Sequence, residues 1–161
     1  MERTQKMVEL QDAEVDDVVA AVNFLKAQPF VDPRRVAISG CSYGGIQTLL
    51  AGERDLGVGA LVPFAPGAMS WQSNLPLRGR LSKAVDNAKA PVFLLQAEND
   101  YSVEPSHVLT KEAEKKHKDF QSKIYPVFGQ KPQDGHWGFC TTGMDVWGPD
   151  VLSFLAAKLR R

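Results

Sequence analysis

The chain has 161 residues, with 19 basic and 19 acidic side chains and a formal net charge of zero. That length suits one domain with a real core, and the balance leaves no basic patch for nucleic acid. No apolar run approaches bilayer-crossing length. Met1-Glu2-Arg3-Thr4-Gln5-Lys6 leads into no apolar stretch of the signal-peptide kind, so the expected location is cytoplasmic.

Residues 1–10 are polar, lack strand alternation and read as an irregular lead-in to a single minimal domain over 1–161. From Asp12, a candidate cap, Val15, Val18, Val22 and Leu25 recur at helical spacing. Arg35–Ser39 carries the first strand pattern, and a helical pattern runs over Ile46–Glu53. Between them lies Ser39-Gly40-Cys41-Ser42-Tyr43-Gly44-Gly45. Gly40 to Gly44 fits G-x-S-x-G in the strand–turn–helix setting that aims a serine hydroxyl out of the sheet end. On so sharp a turn, side chains two residues either side of Ser42 would meet backbone, and glycine removes the collision.

Ala60–Phe64 is the second strand, and the Pro-, Gly- and aromatic-rich stretch from Pro63 to Gln72 leaves it at the same sheet end as Ser42. Phe64, Met69 and Trp71, with Trp137, are candidates to line an apolar substrate pocket. Filling the core is an equal alternative for these side chains. Val92–Ala97, opened by Pro91, reads as a buried parallel strand. It runs into the polar loop from Glu98 to Pro105, at the carboxyl end where open α/β sheets place their sites. Asp100 is the first choice for a functional acid there, with Glu98 and Glu104 as competitors.

The charged segment Pro105 to Lys118 reads as a solvated helix with Glu112–Lys116 and Glu114–Lys118 pairs, which takes His107 and His117 to the surface. The strand-like Ser122–Phe128 is followed by Gln133-Asp134-Gly135-His136-Trp137-Gly138-Phe139, so His136 is the candidate base. The final helix, Pro149 to Leu159, presents Val151, Leu152, Leu155 and Leu159 and is expected on the opposite sheet face from the first helix.

Three segments, Val31 to Gly45, Glu98-Asn99-Asp100 and Asp134-Gly135-His136, taken in this order, resemble the α/β-hydrolase superfamily. The closer likeness is to its dienelactone-hydrolase-like and prolyl-oligopeptidase-like branch, from about Asp12 to the C-terminus. The resemblance implies a truncated α/β-hydrolase fold: about four mostly parallel strands with helices on both faces. It implies Ser42 as nucleophile, Asp100 as acid, His136 as base and the Tyr43 backbone N–H as an oxyanion donor, with no cofactor. Dienelactone hydrolases proper carry cysteine at the nucleophile position. Ser42 there, with Cys41 one place earlier, points instead to a serine esterase acting on small carboxylic esters, with peptidase or thioesterase chemistry less expected.

Family members carry strands ahead of the nucleophile strand, and these residues hold none. Two expectations follow. The nucleophile strand becomes an open apolar edge, which a homodimer would cover. The second oxyanion donor, normally from a loop after an earlier strand, has to come from elsewhere. The competing reading is a weak or inactive hydrolase-fold module used for binding or oligomerisation. The two cysteines, Cys41 and Cys140, are expected as free thiols in a reducing cytosol. No C-x-x-C or His-rich cluster suggests a metal.

Overall fold

A computed structural model describes residues 2–159. Four strands form one parallel sheet in the order β1 (Ala37–Cys41), β2 (Ala60–Phe64), β3 (Val92–Ala97) and β4 (Phe120–Tyr125). Each strand lies beside the previous one, so each connection steps the same way along the sheet. The crossover helices α2 (Tyr43–Ala51), α3 (Leu75–Asn87) and α4 (Glu104–Lys115) therefore land on one face. Helices α5 (Phe139–Thr142) and α6 (Met144–Lys158) cover the other.

Strand alternation divides the core in two. Leu61, Val92 and Leu94 point into the cluster with Leu49, Leu50, Leu77, Leu81 and Leu109. Ala60, Val62, Phe64, Phe93, Leu95 and Ala97 point into the cluster with Phe139, Val151 and Phe154. The central strands β2 and β3 are buried throughout, whereas β1 and β4 are only partly so, as befits edges. The expected edge position of the serine-bearing strand is observed. Its bounds lie two residues later than the apolar run suggests, because Gly40 and Cys41 still pair with Pro63 and Phe64.

The lead-in differs from expectation. Residues 2–10 are not irregular: one helix, α1, runs over Glu2–Lys26, and Asp12 sits inside it rather than capping it. Val8, Gln11, Val15 and Val22 share its buried stripe, which the polar Gln11 conceals in the sequence. Lys6–Glu2 and Gln5–Glu9 contacts support the exposed side. Asp12 holds Arg80 of α3 at 2.6 Å, and Arg80 also pairs with Glu53. Burial works against the Arg80 cation, but the two carboxylates outweigh it and raise its pKa. Gln47 Nε2 of α2 donates to the Gln11 carbonyl at 2.9 Å. A helix of 25 residues extends about 37 Å, roughly twice the length of a five-residue strand. α1 is therefore too long to be matched by the strand it precedes, and the ties at Gln11 and Asp12 fall near its middle.

The last helix begins at Met144, five residues before Pro149, and buries Val151 and Phe154 while Leu152 faces solvent. In α4, Glu112 pairs with Lys115, and Lys116 reaches Asp86 of α3 instead of Glu112.

Candidate active site

β1 ends at Cys41 and α2 begins at Tyr43, so Ser42 alone makes the turn. It does so at φ 56°, a left-handed conformation that a non-glycine side chain adopts at a cost. Its N–H donates to the Phe64 carbonyl at the end of β2, at 2.9 Å. A Cβ on Gly40 would lie 2.4 Å from the Gly44 carbonyl carbon, and one on Gly45 would lie 2.6 Å from the Phe64 oxygen. A Cβ on Gly44 meets nothing within 4 Å. The close approaches thus fall at Gly40 and Gly45, not at Gly40 and Gly44 as the motif suggests.

Ser42 Oγ and His136 Nε2 are 2.8 Å apart, and His136 Nδ1 is 2.8 Å from Asp100 Oδ1. The His136 and Asp100 side chains are fully buried. Asp100 follows β3, at the sheet end predicted for it. Glu98 is exposed, and Glu104 opens α4 and accepts from Gln72 Nε2 at 2.7 Å, so neither competitor meets His136. Asp100 Oδ1 also accepts from the Tyr101 N–H at 2.6 Å, and Oδ2 accepts from Gln96 Nε2 at 2.9 Å. Three donors therefore fix the carboxylate, and its orientation makes Nδ1–H the donor and Nε2 the acceptor on His136.

Gln96 is fully buried, donates also to the Ser102 carbonyl at 2.7 Å, and accepts from Ser106 Oγ at 2.5 Å. It escaped the sequence analysis. Its signal is a lone carboxamide near the end of an otherwise apolar buried strand. Tyr101, edge-on to the His136 ring at 5.5 Å, was also missed, with no signal beyond its place next to Asp100.

His136 lies within a single π-helical turn, Asp134–Gly138. Such turns recur at functional sites. Asn99 ties this segment to the β3 loop: its Oδ1 accepts from the Phe128 N–H at 2.8 Å, and its Nδ2 donates to the Phe128 and Lys131 carbonyls. Gly135 packs so closely on Asn99 that a Cβ would lie 2.6 Å from its Oδ1. Asp134 Oδ2 accepts from the Gln130 and Lys131 backbone N–H groups, Gln130 the stronger influence, and its pKa is lowered.

The four expected pocket residues separate. Met69 lines a cavity of about 360 Å³ beside Ser42, together with Met7, Gln11, Tyr43 and Ile46. Trp137 is half-exposed, stands edge-on to His136 at 5.3 Å and does not line that cavity. Neither Phe64 nor Trp71 lines this cavity. Phe64 points to the α6 side and packs on Phe139 and Trp147, and Trp71 is fully buried among the leucines of α2 and α3. Strand alternation puts Phe64 on the sheet face opposite α2. The Tyr43 hydroxyl donates to Glu14 of α1, and partial burial, with Glu14 adding to it, pushes its pKa up to about 12. The Tyr43 backbone N–H, at the first position of α2, has no carbonyl within the helix to bond.

The cysteines are not free thiols: Cys41 and Cys140 form a disulfide across 99 positions of sequence. Nothing in their spacing announces this. The fold brings the residue before Ser42 against the helix that follows His136, so one covalent link joins the two segments. Among the described residues no cluster of His, Cys, Asp or Glu could hold a metal, and no helix is long and apolar enough to cross a membrane.

Two outcomes are expected of stability measurements. Gly40→Ala and Gly45→Ala should each lower the urea midpoint by the equivalent of about 1–3 kcal/mol, while Gly44→Ala stays near wild type. Equal losses at all three positions would contradict these close approaches. Reduction with dithiothreitol should cost about 2–5 kcal/mol, as for loss of other native disulfides. An unchanged midpoint would mean that the link adds nothing to stability.

The sequence model described as "Dienelactone hydrolase family" matches residues 1–131. A curated protein of Metarhizium robertsii named "Probable dipeptidyl-aminopeptidase B" is 50% identical over 44 residues, which are 27% of this chain and 5% of that protein. Among solved structures, the acylaminoacyl peptidase of Pyrococcus horikoshii superposes with a TM-score of 0.69 at 20% identity, covering 91% of this chain and 28% of the other. An esterase of Pyrococcus furiosus superposes at 0.68 and 16% identity, covering 91% and 62%. The chain thus spans 5% of that curated relative and 28% and 62% of these two structures. The structural likenesses establish an α/β-hydrolase fold common to esterases and peptidases. With the family model matched over most of its length, the chain belongs to the dienelactone hydrolase family.

Proposed function

We propose that this chain is a serine hydrolase that cleaves small carboxylic esters through an acyl-enzyme. One observation carries the reading: the unbroken hydrogen-bond chain from Ser42 through His136 to Asp100. His136 Nε2 takes the proton from Ser42 Oγ as that oxygen attacks the ester carbonyl. The Tyr43 N–H receives the developing oxyanion. Asp100 holds the imidazole in its tautomer and balances the imidazolium charge. Collapse of the intermediate breaks the carbon–oxygen bond to the alcohol, which takes the proton from His136. Water then attacks the acyl carbon, giving its proton to His136, and Ser42 recovers its proton as the acid leaves. No cofactor enters these steps.

Amides can follow the same path, and the 44-residue likeness to a dipeptidyl-aminopeptidase makes peptides the competing substrate. Esters are favoured because no Asp or Glu lines the cavity among the described residues, so a peptide's free ammonium group finds no counter-ion there.

Ser42→Ala should abolish both p-nitrophenyl ester turnover and labelling by a fluorophosphonate probe. Asp100→Asn should lower kcat by about 10⁴-fold. Full turnover in folded Ser42→Ala protein would overturn the assignment. The unpaired edge of β1 extends the reading to a homodimer that covers it. Light scattering at micromolar concentration should then give twice the monomer mass, and monomer mass alone would refute the dimer.

A further inference from the structure

Ser42 borders a cavity that the base does not line. Tyr43, Ile46, Met7 and Met69 line the cavity, while His136, Asp100, Tyr101 and Trp137 do not. In ester cleavage the departing oxygen must receive its proton from His136, which places the alcohol half on the imidazole side. The acyl half is then directed the other way, past the Tyr43 N–H and into the cavity.

Resting on the serine-hydrolase reading, we propose that this cavity is the acyl pocket, that it takes an uncharged aliphatic chain of medium length, and that Met7 of α1 limits that length. The volume, about 360 Å³, equals about twelve water molecules at ~30 Å³ each, far more than an acetyl group needs. Met7, Ile46 and Met69 make its wall apolar, and the unbranched methionine side chains adapt to chains of different length. The charged lining residue Arg3 is exposed, so its guanidinium stays in solvent at the rim. Val8, next to Met7, is buried in the core, and just beyond it Gln47 holds the Gln11 carbonyl, Arg80 holds Asp12 and Tyr43 holds Glu14, which ties this part of α1 to α2 and α3. The residues that choose the acyl group thus lie on the helix before the serine strand, not among the aromatics after β2.

The test is kcat/KM for p-nitrophenyl acetate, butyrate, hexanoate and octanoate with wild type, Met7→Trp, Met7→Ala and Glu9→Trp. Glu9 is exposed on the same helix and lies outside the cavity lining. Wild type should prefer hexanoate to acetate. Met7→Trp should cut the octanoate-to-acetate ratio at least tenfold, in the range that excluded methylenes produce. Met7→Ala should raise that ratio, and Glu9→Trp should leave it at the wild-type value. Changing the alcohol at constant acyl group should show no dependence on residue 7. An octanoate-to-acetate ratio indifferent to both Met7 substitutions overturns the acyl-pocket assignment while leaving the hydrolase reading in place. If Met7→Trp does not fold, Met7→Ala decides alone. Wild-type protein that turns over no ester and takes no fluorophosphonate label overturns the hydrolase reading itself, and the acyl pocket with it.

Discussion

One backbone carbonyl, that of Phe64, holds the serine turn in place. It accepts the Ser42 N–H at 2.9 Å, and α2 passes so close to it that residue 45 has to be glycine. β1 has a sheet neighbour on this side alone. A left-handed serine at the end of an edge strand is a strained feature with half the usual support. The rest of the site makes up for that. The Cys41–Cys140 disulfide anchors the residue before the serine to α5, and α1 grips the residue after it through Glu14 and Tyr43.

The second device is a sheath of ordinary polar residues that orient the reactive ones. Gln96 and the Tyr101 N–H aim the Asp100 carboxylate. Asn99 draws the segment ahead of His136 onto the β3 loop, where only a glycine at position 135 allows the approach. Each of these groups satisfies buried hydrogen-bonding capacity that would otherwise be costly. The same bonds that stabilise the carboxyl end of the sheet therefore also hold the Ser42–His136–Asp100 hydrogen-bond chain in place. The divided leucine and aromatic cores reach up to this end as well, through Ile46 on one face and Cys41, Phe139 and Cys140 on the other.

Much of this was legible in the residues. The four strands stand out because apolar runs such as Val92 to Ala97 are bounded by proline and polar loops, and parallel pairing follows from their alternation with helices. Ser42, Asp100 and His136 could be singled out as candidates because each directly follows a strand pattern or lies in a glycine-flanked loop, and the fold brings the three within hydrogen-bonding distance. Phe64 and Trp71 were not placed, because an aromatic near a sheet end suits a pocket or a core equally: strand phase decides for Phe64, and packing against α2 and α3 for Trp71, which lies beyond β2. The first ten residues misled for a different reason: a stripe with glutamine at one of its buried positions has no visible period. The disulfide lay beyond reach, since two half-cystines far apart in sequence carry no record of their distance in space.

Local rules thus determined the element types, the parallel sheet and the choice of Ser42, Asp100 and His136 as candidates, because turns, caps and strand alternation act over a few residues. Tertiary structure alone decided what surrounds those side chains. The contacts of Met7 with the cavity, Asp12 with Arg80, Gln96 with Asp100 and Cys41 with Cys140 link different elements. Long-range packing sets such distances, and no short stretch of sequence encodes them.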